Sequence, residues 1–242
     1  DCLLSRGLGD VYKRQLLRRA GRRALSALIL IAAAWGGLAI HFLFDLAPPL
    51  RWTVIVVWLG AASVALWSLW RRPRQWLPLG GFALAVGALL AWWWTLQPRQ
   101  DRDWADDVAR RLQAQVHGHR VVLRNVRDFD WRSDDDYTPR WETREYDLDH
   151  LVSADLALSY WMGPAIAHTL VSFGFDDGSR VVFSLEIRKQ RGESFSALGG
   201  FFRKFEQTLV AADERDILRV RTNVRGEDMY LYRLAIPPAE LR

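Results

Sequence analysis

Three runs without a charged residue dominate the first hundred positions, at 24–44, 52–70 and 76–96, of 21, 19 and 21 residues. About 20 apolar residues carry a helix across the hydrocarbon core of a bilayer, so each run predicts a transmembrane helix. Nine of the thirteen tryptophans fall in these runs, several at their ends (Trp52, Trp70, Trp76, Trp92, Trp93, Trp94), where interfacial rings anchor a span. Gly36, Gly37, Gly60, Gly80, Gly81 and Gly87 suit close helix packing. Beyond Leu96 the period changes. Trp104, Val108, Leu112 and Val116 recur every four residues and predict a juxtamembrane helix, capped by Asp101 or Asp103 and ended by Gly118. Strands are predicted at 121–123 and around Val126, then at 138–146 after a turn at Ser133 to Asp136, and at 155–160, 209–212, 217–222 and 229–234. Residues 192–200 read as a glycine- and serine-rich loop. The region after 97 is therefore an α+β domain, mainly antiparallel β, and about 145 residues suffice to bury a core.

The most informative stretch is a hairpin at 167–188. Residues 167–175 and 180–187 alternate apolar and polar positions around the turn Asp176-Asp177-Gly178-Ser179. Val171, Phe173 and Phe175 on one strand, and Val181, Phe183, Leu185 and Ile187 on the other, are all odd-numbered, so a shared core requires odd to pair with odd. His168 and Glu186 then share the opposite face. With 177–179 as a three-residue loop they lie diagonal to one another, within reach of long side chains. That is the relation of a general base to the group that orients it. The alternatives are a histidine hydrogen-bonded at a sheet edge and a Glu186 salt-bridged to Arg188 or Lys189.

Charge changes the picture by its distribution. The net charge is +5 and the pI about 9.7, yet residues 1–96 hold 11 basic and 3 acidic side chains and residues 97–242 hold 22 and 25. Lys13, Arg14, Arg18, Arg19, Arg22 and Arg23 precede the first span, Arg51 lies in the first loop, and Arg71, Arg72 and Arg74 lie in the second. The positive-inside rule puts the N-terminus and second loop in the cytoplasm. The domain after Leu96 is then expected on the periplasmic side of a bacterial inner membrane. The basic excess is a topology signal, and no nucleic-acid partner is expected. No charge lies inside a span, which excludes an ion path, and His41 sits near the outer end of the first helix.

The segment Leu158-Ser159-Tyr160-Trp161-Met162-Gly163-Pro164-Ala165-Ile166-Ala167-His168 resembles the Lnb N-terminal periplasmic domain family of bacterial membrane proteins. So do Asn125 to Asp130, Asp136 to Trp141, Gly192 to Phe202 and Ala212 to Asp216, and the resemblance covers residues 97–242. It implies a circularly permuted papain-like fold with a strand histidine ahead of an Asn-Cys motif. It also implies lipoprotein N-acylation through a thioester, with a phospholipid as acyl donor and a lipoprotein N-terminus as acceptor. The sequence departs from the pattern in its single cysteine, Cys2. The chain is expected to be cut before its nucleophile and to be inactive as it stands, with a new helix starting at Ala239 to Arg242. Residues 1–15 resemble adaptor read-through, leaving 16–23 as a cytoplasmic tail.

In such a site a histidine takes the thiol proton and a polar side chain fixes its tautomer. His168 and Glu186 fill those roles, and Tyr160 is either an oxyanion donor or plain packing. Asp134, Asp135 and Asp136 lack the spacing of a calcium loop. His117 and His119 lack the further ligands of a zinc site. No metal or cofactor is expected. Arg188 to Arg191 form a basic loop that could meet lipid headgroups or simply be solvated. Two functions stand: a membrane-anchored cysteine-type acyltransferase, or a non-catalytic envelope binding module.

Overall fold

The structure, a computed structural model, describes residues 2–71, 76–161, 163–237 and 240, with the side chains of 2–11 left aside. Arg72 and Arg74 of the basic loop, and most of the segment from Ala239, lie outside the described residues. The chain divides into two compact units, one of residues 1–98 with 197–204, the other of 99–196 with 205–242.

The first unit is built on α1 (Cys2–Leu43), α2 (Pro48–Arg71) and α3 (Trp76–Thr95). Three helices, Tyr12–Leu43, Pro48–Arg71 and Trp76–Thr95, are long and apolar enough to cross a membrane. Close packing of α1 on α2 centres on Gly36. A Cβ added there would stand 2.2 Å from the Trp58 ring, whose Nε1 donates to the Ala33 carbonyl at 3.0 Å. The short helix α4 (Ala197–Phe201) also belongs to this unit. Phe202, just beyond it, is buried in the same apolar cluster as Ile40, Trp58 and Phe82.

The second unit is an eight-stranded, mainly antiparallel sheet. Its strands are β1 (Gln113–His117), β2 (Arg120–Arg127), β5 (Trp141–Asp147), β6 (Leu151–Tyr160), β7 (Ala167–Phe175), β8 (Arg180–Arg188), β9 (Glu206–Ala212) and β10 (Asp228–Arg233), and β3 (Asp130–Trp131) with β4 (Tyr137–Thr138) makes a small ribbon. The order is β1-β2-β9-β8-β7-β6-β10, with β5 also on β2 and a single parallel contact between β2 and β9. Asn125, at φ 63°, forms a bulge in β2. Asn tolerates that left-handed conformation better than most residues.

Both faces of the central strands are covered. Phe175, Val181, Leu123 and Tyr146 build one cluster. Leu170, Val182, Val210 and Ile217 build another on the opposite face, beneath α5 (Glu214–Arg219). A one-sided core on the odd positions of the hairpin is thus corrected: the even face is the more deeply covered, and Ser172 and Ser184 are among its buried residues.

Two expected elements are replaced. The helix expected over Trp104 to Val116 is a single 3-10 turn, Asp106–Val108, followed by the exposed edge strand β1. A helix there would need the carbonyls of Asp107, Val108 and Ala109 for its own ladder. They are taken instead by Arg127 Nη1 at 3.0 Å and by Arg188 Nε and Nη2 at 3.0 and 2.7 Å. Gly118, at φ 61°, serves the β1–β2 hairpin turn. The strand expected at 217–222 is α5 continued by a π turn, Val220–Val224. Asp213 caps that helix through the Arg215 N–H at 3.0 Å, and Ile217, Val220 and Arg221 are buried at helical spacing.

A buried ion network fixes α5. Asp216, fully buried, accepts from Arg127 Nε and Nη2 at 2.8 and 3.0 Å, from the Phe129 N–H at 2.9 Å and from Trp131 Nε1 at 2.7 Å. Every acceptor position of the carboxylate is used, which is how a charge survives complete burial.

Candidate active site

Strand register brings His168 to its neighbours. It stands directly opposite Ser159 on β6. On β8 the ladder runs Leu170 to Ser184, Val171 to Phe183 and Ser172 to Val182, so two residues further along, His168 faces Glu186. The three-residue loop lies one position earlier than the sequence suggested, at 176–178: Phe175 and Ser179 close it, with the Phe175 N–H donating to the Ser179 carbonyl at 3.0 Å and Gly178 at φ 83°. The two side chains are direct cross-strand partners instead of diagonal ones.

The imidazole is held on one side. His168 Nε2 lies 2.7 Å from Ser184 Oγ and 3.2 Å from Glu186 Oε1, and Ser184 Oγ donates to that same carboxylate oxygen at 2.7 Å. Because the hydroxyl has one proton and gives it to the carboxylate, Ser184 Oγ accepts from the imidazole, which assigns the proton to Nε2. Nδ1 is the nitrogen not engaged by these partners.

Glu186 is not paired with Arg188, whose guanidinium goes to backbone carbonyls and to Gln100 and stacks over Trp104 at 4.3 Å. Its cation is Arg221, from the π turn, with Nη2 at 2.9 Å. Arg221 also reaches Glu227 Oε2 at 3.3 Å, and Ser159 Oγ donates to that oxygen. Burial pushes the Glu186 carboxyl up, but the hydrogen bond to His168 and the charge of Arg221 outweigh it and hold the group well below the usual carboxylate range. A carboxylate that stays ionised beside a histidine orients the ring and stabilises its cationic form.

His168, Glu186, Arg221 and Glu227 line a cleft of about 320 Å³. One wall is apolar, with Trp161 and Phe195 packed edge to face at 4.9 Å and Leu185 exposed beside them. The cations Lys189, Arg221 and Arg225 are matched in the lining by Asp107, Glu186 and Glu227, and Lys189 lies 3.9 Å from Asp107 while Arg225 pairs with Asp134 at 2.6 Å. Tyr160 is not brought to this place: it is cross-strand from Ala167, one residue out of phase with the Ser159–His168 row, and packs its ring edge on Tyr230 at 5.9 Å. His119 pairs with Asp149 at 3.0 Å. Among the described residues no group of three or more His, Cys, Asp or Glu side chains is placed to hold a metal ion.

Arg221, Ser184 and Glu227 were missed by sequence reasoning. Ser184 could have been found, since it is an even-numbered polar residue on the His168 face of the hairpin. Arg221 required recognising Asp213 as a helix cap.

Residues 137–242 match the family model of the Lnb N-terminal periplasmic domain. The matched segment spans the whole of β6 to β10, and with them His168, Ser184, Glu186, Arg221 and Glu227. The chain thus joins three helices long and apolar enough to cross a membrane to a segment that matches a periplasmic-domain family. No match was found among curated proteins or solved structures.

Proposed function

We propose that the Lnb-type domain carries the histidine half of a cysteine-type acyl-transfer site, of permuted papain-like design, working at the periplasmic face of the inner membrane. The observation that supports it most is the polarised imidazole: Nε2 is tied to Ser184 and Glu186, and Nδ1 is left to take a proton. In this reading His168 removes a thiol proton, the thiolate attacks the ester carbonyl of a phospholipid, and a thioester forms as the C–O bond breaks. The imidazolium returns its proton to the departing lysophospholipid oxygen. The amino terminus of a lipoprotein then attacks the thioester and releases the thiol. The Trp161, Phe195 and Leu185 wall suits an acyl chain. Residues 97–242 contain no cysteine, so the thiol comes from elsewhere in this reading.

That composition is also what favours the second reading, a binding module for an amphipathic envelope ligand. The test is conversion of diacylated to triacylated lipoprotein in cells that depend on the gene encoding this chain. His168→Ala is expected to lower conversion about 100-fold or more, and Glu186→Gln to weaken it less. Full conversion with His168→Ala protein at normal abundance leaves the binding module as the reading.

A further inference from the structure

Between β8 and β9 the chain contributes Ala197–Lys204 to the helical unit, where it is held by aromatic packing. The Phe202 ring stacks on Phe42 at 5.7 Å and meets Trp93 edge to face at 6.1 Å and Trp35 at 6.5 Å. Phe42 and Trp93 lie at the ends of α1 and α3, and Trp35 lies about 10 Å further down α1 at about 1.5 Å per residue. Phe202 is 2% exposed, whereas its neighbours Leu198 and Phe201 are 58% and 70% exposed. The end of the arm folds back on its own backbone: the N–H groups of Phe202, Arg203 and Lys204 bond to the carbonyls of Leu198, Gly200 and Gly199 at 2.9 to 3.1 Å. Pairing of this kind lowers the cost of irregular chain at membrane depth. Arg203 adopts φ 56°, a costly conformation for an arginine. Its guanidinium sits over Trp93 and Trp94 at 5.0 and 5.9 Å, the arrangement of an interfacial belt.

We propose that Ala197–Lys204 is a membrane-seated arm whose Leu198 and Phe201 are covered by the acyl chains of the bilayer that surrounds α1 to α3. The occupant follows from continuity. The arm shares its buried cluster with the three spans, so the apolar surface on its outside continues theirs, and lipid is what covers theirs. A loop of this length outside a bilayer would instead leave Leu198 and Phe201 in water.

The unsubstituted chain tests this in vesicles doped with a phosphatidylethanolamine that carries a diazirine on its acyl chain. After irradiation and tryptic digestion, lipid adducts are expected on the peptide 192–203 as well as on peptides of α3, whose Leu84 is 76% exposed. They are expected to be absent from the peptide 112–120, although its Val116 is 63% exposed. Adducts on the spans with none on 192–203, or a cross-link from 192–203 to a protein in place of lipid, overturn the proposal. Loss of acyl transfer has no bearing on this readout.

Discussion

Arg221→Met isolates the contribution of the cation that sequence reasoning did not find. Arg221 and its two carboxylate partners are well removed from water, with side-chain exposures of 9% for the arginine, 17% for Glu186 and 10% for Glu227, so solvent screening is weak. Removing one member of such a group leaves uncompensated buried charge, which costs about 3–5 kcal/mol. With a urea slope of about 2 kcal/mol per molar, the midpoint at pH 7 falls by about 2 M. Pulse proteolysis of the chain in detergent micelles across a urea series measures that fall. The pH dependence adds a sharper signature. Burial, opposed by His168 and Arg221, leaves the Glu186 carboxyl below its ordinary value of 4.5. The stability it contributes is therefore fully present above pH 4.5 and drains away as pH falls below that value towards the folded-state one. In the variant much of that contribution is already gone, so the gap between the two proteins is constant above about pH 5 and narrows below 4.5. A gap under about 1 kcal/mol at pH 7, or one that does not narrow between pH 5 and 3, refutes the electrostatic account of Arg221.

Asp216→Asn keeps the shape of a fully buried residue but removes the counter-charge of Arg127; it is expected to cost about 3 kcal/mol in the same proteolysis assay. Gly36→Ala drives a methyl group into the Trp58 ring and is expected to cost about 1–3 kcal/mol, read as loss of heat-resistant helical circular dichroism in micelles. For orientation, a reporter that works only outside the inner membrane, fused after Arg242, is expected to be active, and activity of a cytoplasm-only reporter there reverses the topology.

Hydrophobic patterning made the spans legible because a charge-free run of about 20 residues has few other uses. The hairpin was legible for a similar reason: alternation flanking a turn restricts faces, and that alone puts His168 and Glu186 on one side. What patterning could not supply was the register, which one residue of turn geometry decides, or the partners that arrive from far along the chain. The four-residue spacing from Trp104 to Val116 looked helical, but side chains distant in sequence, Arg127 and Arg188, claim the carbonyls that a helix would use. Residues 217–222 looked like a strand, since Leu218 and Val220 alternate with Arg219 and Arg221. Asp213, acting as a cap, and the burial of Asp216 against Trp131 override that local preference.

The Arg127–Asp216 pair spans 89 positions of sequence and Arg221–Glu186 spans 35. Contacts of that range form late, after the entropy of closing the intervening loops has been lost. A hairpin of β7 and β8 alone would hold His168 beside Ser184, yet without α5 its glutamate has no cation and its ring no fixed electrostatic surroundings. The Glu186 carboxylate therefore gains its cation only once the last quarter of the domain has folded back onto β8, so a chain still lacking that quarter holds His168 against a carboxylate that no guanidinium neutralises.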